Sequence, residues 1–217
     1  MDTKATIKNK IESIFPELGK IGAAVETYRK TIADLEKLPF VEEEKARVRT
    51  REKEKFQNAV RAIAQPIGDS LNAIRTAATE QEQAFEITGE LQAAITLVDA
   101  TGDKLPGETR DNIWKPFIGS RQALVMLKAL FEAKGLYTGE LSKYIISADT
   151  WADRLERAAT DVFINPTDNI MQAYQFGKLL EEFAALEGIE LSKGIADYLD
   201  YSTYMTQAIR DSSGLAI

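Results

Sequence analysis

The sequence predicts an all-α fold: a helical bundle with a long N-terminal helical hairpin that extends as a coiled-coil-like arm. Apolar residues recur at steps of three and four over long stretches, which is the period of a helix face. No alternating apolar and polar run of useful strand length appears between them. Glycine and proline mark a few turns without any fixed spacing, so seven or so helices are expected and no internal repeat. A chain of 217 residues with 44% hydrophobic content has enough apolar material for a proper core.

The first helix carries the clearest pattern. Ile7, Ile11, Ile14, Leu18, Ile21, Val25, Tyr28, Ile32 and Leu35 follow one another at alternating steps of four and three, a heptad seam built to lie against other helices. A short partner helix cannot cover this seam fully within the chain, so these nine residues are expected to meet neighbouring copies or another protein. Pro16, preceded by Ser13 and followed by Glu17, Gly19 and Gly22, is expected to divide the helix. The heptad phase survives the break, so both pieces face one surface.

Leu38-Pro39-Phe40 marks a turn, because proline lacks the helical donor and displaces its predecessor from the α region. From Val41 to Lys55 acids come first and bases later, as the helix dipole prefers. The result is an antiparallel hairpin of two helices of about 25 residues, roughly 37 Å long at 1.5 Å per residue. Residues 42–55 offer only Ala46 and Val48 as apolar contacts, so the tip is thinly packed and projects into solvent or meets another chain. Phe56, Val60, Ile63, Ile67, Leu71 and Ile74 carry a second stripe past Pro66, which should bend or restart the helix. A looser pattern continues through Phe85, Leu91, Ile95 and Val98.

Residues 101–108 have the glycine and proline density of a loop. The main division is placed there, with the hairpin, arm and connecting helix in 1–100 and a compact bundle in 109–217. In the bundle, Thr109 is expected to cap a helix reaching Ala133, whose apolar residues from Ala123 to Phe131 surround it and make it central. Gly135 ends that helix and Thr138 caps the next, which carries Leu141, Tyr144, Ala148, Trp151, Leu155 and Val162. Asn165-Pro166-Thr167 leads to a helix with Ile170, Ala173, Tyr174, Gly177, Leu180 and Ala184, and a last helix is expected from Leu191 to Arg210.

Composition narrows function. The absence of cysteine and histidine excludes disulfides, thiolate nucleophiles, cysteine zinc sites, Ser-His-Asp triads, HExxH sites and imidazole-ligated haem or di-iron. Carboxylates, lysine, tyrosine and hydroxyls are what remain for catalysis. The N-terminal residues lack the apolar core of a signal peptide, and no apolar stretch is long enough to span a bilayer. A cytoplasmic location is expected, or a virion if the chain is phage-encoded. Charge is segregated: of 27 Lys and Arg and 34 Asp and Glu, residues 1–65 hold 14 and 11, leaving 13 and 23 in residues 66–217. The two parts carry +3 and -10, suited to head-to-tail pairing or to a basic partner.

Four constellations of residues bear on chemistry. Glu82, Glu86 and Glu90 stand at i+4 steps, so on one helix face they would offer oxygens to Mg²⁺ or Mn²⁺, although a solvated acidic face is the simpler reading. The loop acids Asp99, Asp103, Glu108 and Asp111 lack EF-hand spacing. Lys45, Arg47, Arg49, Arg51, Lys53 and Lys55 are interleaved with glutamates and fan around a helix, so direct nucleic-acid binding is not expected from this pattern. Tyr198, Tyr201 and Tyr204 cluster near the C-terminus, as interface tyrosines or as rings packed at a bundle rim.

No phosphate loop or nucleophile elbow is present. The expectation is a non-enzymatic helical protein with no cofactor, acting on a protein partner by self-association or docking, as components of virus or phage particles and bacterial adaptors do. A homo-oligomer is the expected form. Two alternatives stand beside it: an acidic decoy that occupies a basic site on a nucleic-acid-handling protein, and a carboxylate-dependent Mg²⁺ or Mn²⁺ enzyme.

Overall fold

A computed structural model describes residues 2–164 and 170–200. Those residues form seven α-helices and no strand, so the fold is all-α. In chain order they are α1 (Thr3–Glu36), α2 (Glu42–Gln83), α3 (Gly89–Thr101), α4 (Gly107–Trp114), α5 (Arg121–Ala133), α6 (Ala148–Ile164) and α7 (Ile170–Leu186). No described helix is long and apolar enough to cross a membrane.

Helices α1 and α2 run through their prolines without division, Pro16 and Pro66 both lying inside the helix. The divided first helix expected from the sequence is therefore one helix. A proline in a helix interior costs about 3 kcal/mol. That cost is offset here because Ile14, Phe15 and Leu18 around Pro16, and Ile67 beside Pro66, are all fully buried, each contributing about 1.5–3 kcal/mol. With 34 and 42 residues, the hairpin helices are longer than expected, about 51 and 63 Å at 1.5 Å per residue.

The bundle is a ring of four. Helix α1 packs on α2, α2 on α6, α6 on α7, and α7 on α1. Helix α6 returns antiparallel along α2: Glu82 at the end of α2 receives the Ala148 N–H, 2.9 Å away, while Arg75 one to two turns earlier meets Asp153 and Glu156. Rings cross between neighbours, with Tyr28 stacked on Phe56 at 4.9 Å and Trp151 tilted against Phe183 at 5.7 Å. Gly177 on α7 lets Ile195 lie directly against the helix backbone.

Residues 85–145 form a second, smaller core inserted between α2 and α6. Leu91 and Val98 of α3, Ile113 and Trp114 of α4, and Leu124, Leu127 and Phe131 of α5 meet there. Leu105 belongs to the same core, so residues 101–108 lie within it rather than between two units. The packing divides instead near 84–88 and again between Ile145 and Ile146, with Tyr144 touching both cores.

Three further expectations are corrected. The helix expected from Thr109 to Ala133 is two helices, α4 and α5, because Pro116 and Gly119 interrupt it; Gly119 adopts φ +85, in the left-handed region. Helix α5 is not central: Val125 and Met126 face solvent. Residues 191–194 and 198–200 are not helical and only Ile195–Asp197 form a short 3₁₀ turn, so the last helix is absent up to residue 200, and residues 201–210 lie outside the described residues.

The ring makes a prediction with a sign opposite to helix propensity. In an open helix Gly→Ala gains about 0.5–1 kcal/mol. A methyl at Gly177 would overlap the side chain of Ile195, which is fully buried, so Gly177→Ala is expected to lower unfolding free energy by about 1–3 kcal/mol in urea denaturation.

Candidate functional site

The heptad seam is core. Ile7, Ile11, Ile14, Leu18, Ile21 and Val25 are each 0% exposed in the single chain, and Leu35 is 4% exposed. Tyr28 and Ile32 are partly buried. An interaction role for the buried members is therefore corrected: α2 and α7 already cover them, and a residue without accessible surface has none to bury on a partner. The single helix judged too short to cover the seam is helped by a second, supplied from the far end of the chain.

Tyr198 also turns inward. Its ring lies 6.3 Å from that of Phe15, its backbone carbonyl passes close over Gly19, and Lys193 Nζ stands 5.7 Å from its ring centroid. It forms part of the bundle's cover. Tyr201 and Tyr204 lie outside the described residues.

A cleft of about 470 Å³ opens where the two cores meet. Its floor is built from the open end of the hairpin (Thr3, Lys4, Gln81, Glu82), the link after α2 (Phe85, Glu86), the turn before α5 (Phe117 to Arg121) and Glu187. Glu82, Glu86 and Glu90 all line it, but not as one helical face. Helix α2 stops at Gln83 and α3 starts at Gly89, with Thr88 accepting the Leu91 N–H as its cap, so Glu86 falls in the break and Glu90 on another helix.

The polar groups of this cleft serve as fastenings. Glu82 accepts the Ala148 N–H at the start of α6 and faces Arg121 at 3.6 Å, while Arg121 Nε donates to the Ile145 carbonyl at 2.8 Å. The amide of Gln81 donates both to the Gly119 carbonyl at 2.7 Å and to Glu187 Oε2 at 3.1 Å, and its oxygen accepts from Thr3 Oγ1. Burial pushes the Glu187 carboxyl up to about 7; Lys4 opposes this, the Glu82 charge adds to it, and the Gln81 hydrogen bond opposes it. Among the described residues no three acids converge in a way that would hold a metal ion.

A different feature stands at the opposite end of the hairpin. The bundle core ends at Val25 on α1 and Phe56 on α2, with Tyr28 against it. Beyond those residues Leu35 alone is buried on α1, and no residue from Glu42 to Lys55 is buried on α2. The last part of the arm, about 16 Å at 1.5 Å per residue, is therefore held by little apolar contact.

Ion pairs line it instead: those of Arg49 and Lys45 with Glu36 cross from α2 to α1, and the others lie within α2. Arg49 joins Glu36 and Glu42, both at 2.6 Å, Lys45 reaches Glu36, Arg47 pairs with Glu43 at 2.9 Å, and Arg51 and Lys55 share Glu52. The Arg49 contacts hold the Glu42 carboxyl below its ordinary range. At the turn itself Leu38, Phe40 and Val41 are 43%, 40% and 69% exposed, the densest group of solvent-facing large apolar side chains among the described residues. The sequence marked Leu38-Pro39-Phe40 as a turn; that the two apolar residues face outward was signalled by the lack of apolar partners in residues 42–55.

Comparison with protein-family models, curated proteins and solved structures finds no match for this chain.

The fastening role of Glu82 is measurable. Glu82→Ala removes the acceptor at the α6 start and the partner of Arg121, and is expected to cost about 1 kcal/mol, the usual worth of a helix cap. Glu86→Ala, with an exposed side chain, is expected to stay within about 0.5 kcal/mol of the parent in the same urea titration.

Proposed function

We propose that this is a non-enzymatic helical protein that works by associating with another protein, either a second copy or a different chain, and that the exposed end of its hairpin makes the contact. The observation that carries this reading is the trio Leu38, Phe40 and Val41, exposed at the end of an arm that outruns its own core. Large apolar side chains clustered at a projecting turn gain free energy by being covered, and nothing in the described fold covers them.

Charge supports a protein partner over a nucleic acid. Lys45, Arg47, Arg49, Arg51 and Lys55 of the arm are paired with glutamates on the same hairpin, so phosphate contact by these cations would require breaking pairs that already exist. The acidic part has less to offer as a polyanion mimic for a similar reason. Asp149, Asp153 and Glu156 are drawn onto Arg75, and Glu181 onto Lys178. A contact made by apolar groups beside compensated charges should depend weakly on salt.

A photo-crosslinking amino acid in place of Phe40, and in separate experiments in place of the exposed Thr160 on the body, tests this in the cell that makes the protein. The expected result is a covalent protein adduct from position 40, far weaker from position 160 and retained when salt is raised. The mass of the adduct tells a second copy from a different chain. Equal or absent adducts at the two positions would contradict the proposal.

A further inference from the structure

A chain without histidine and cysteine lacks the side chains that ordinarily ionise near neutrality. Glu187 takes that place by position. It follows α7 directly, at the joint where the turn before α5 is laid against the open end of the bundle. The backbones there touch: a side chain at Gly119 would press into the Glu187 carbonyl, and one at Gly188 would come within 2.8 Å of the Ile118 carbonyl. Both glycines adopt positive φ, +85 and +65. A single amide, that of Gln81, ties the Gly119 carbonyl and the Glu187 carboxyl together.

We propose that Glu187 is a proton-operated latch on this joint: its protonated carboxyl lets the turn at 118–120 close on the bundle, and its ionised form loosens the inserted module of residues 85–145.

The groups that face the carboxyl decide the direction. From α1 comes the Lys4 ammonium, lying over Gly119 and Gly188. From α2 come Gln81 and the Glu82 carboxylate, and from the inserted module comes Arg121, already held by Glu82 and the Ile145 carbonyl. Glu86 and Glu90 line the outer part of the same cleft. One ammonium and one amide donor favour the ionised carboxyl; loss of water and a second carboxylate oppose it, and together the latter win.

Opening the joint returns water to the carboxyl and lets it ionise near its ordinary 4.5 rather than about 7. Between those two values the open form has lost its proton and the closed form has kept it, so closing takes up a proton. Closure is accordingly strongest in mild acid, weakens as pH rises toward about 7, and is level above that. If opening exposes the carboxyl fully, the opening equilibrium grows on the order of a hundredfold across this interval.

Amide hydrogen exchange of the whole chain tests the latch. The ratio of wild-type to Glu187→Gln exchange, taken at each pH so that intrinsic chemistry cancels, is expected to climb between pH 5 and 8 at residues 118–122 and 187–189 while staying level in the buried turns of α1. A flat ratio at the joint, or a ratio that climbs equally in α1, would overturn the proposal. Should the glutamine variant not fold, the carbon-13 carboxyl resonance of Glu187 in the unaltered chain decides. A midpoint near 7 that rises further in Lys4→Met is expected; a midpoint near 4.5, or one indifferent to Lys4→Met, would place the carboxyl outside such a joint.

Discussion

The structure depends on covering one apolar stripe, the face of α1 from Ile7 to Val25. Every residue of that stripe is sealed from solvent, and two helices are needed to seal it: α2 from the adjoining sequence and α7 from far along the chain. Bringing α7 back to α1 closes a ring with α6 and α2, and it sets the rest of the architecture. The N-terminus of α1 and the end of α7 must meet at one end of the bundle, where Lys4 and Glu187 then face each other. The helices α3 to α5 are attached at that same end, between α2 and α6. At the other end the hairpin runs past the last covered residue and is exposed there.

Much of this was legible in the sequence because it is written in periodicity. The three-and-four spacing gave α1, α2, α6 and α7 their inward faces, and each stripe residue from Phe56 to Ile74 is buried as its spacing implies. What spacing cannot say is what covers a face. The seam of α1 looked too long for its hairpin partner because the contribution of α7 is separated from it by more than 100 residues, and such closure leaves no local mark. The prolines misled for the related reason that burial of Phe15 and its neighbours outweighs a local penalty. Local breakers did win in the inserted module, where Pro116 and Gly119 stop a helix that apolar content alone had continued; there the surrounding core is smaller and has less to set against them.

The candidate sites were legible in part. The glutamates at 82, 86 and 90 do line one cleft, but the helix break that parts them was masked by the continuing apolar pattern. Gln81, Gly119 and Glu187 could not be paired from sequence, since they come from three segments joined only by the fold. The tip was the reverse case. A turn with apolar residues on both sides of Pro39, followed by a charged helix with almost nothing apolar to offer it, already implied that Leu38 and Phe40 would go uncovered.

The division of labour that results is simple. The ring supplies stability, the fastenings around Glu82 and Gln81 orient the inserted module, and the end of the hairpin is left with apolar surface and compensated charge. The central claim is that one chain completes its own core. Urea denaturation followed by tryptophan fluorescence, over about a hundredfold range of protein concentration, addresses it directly; Phe40→Ser with Val41→Ser would keep contacts at the tip out of the measurement. A midpoint independent of concentration is predicted. A midpoint that rises with concentration would mean that neighbouring copies complete the seam of α1, and would contradict the account.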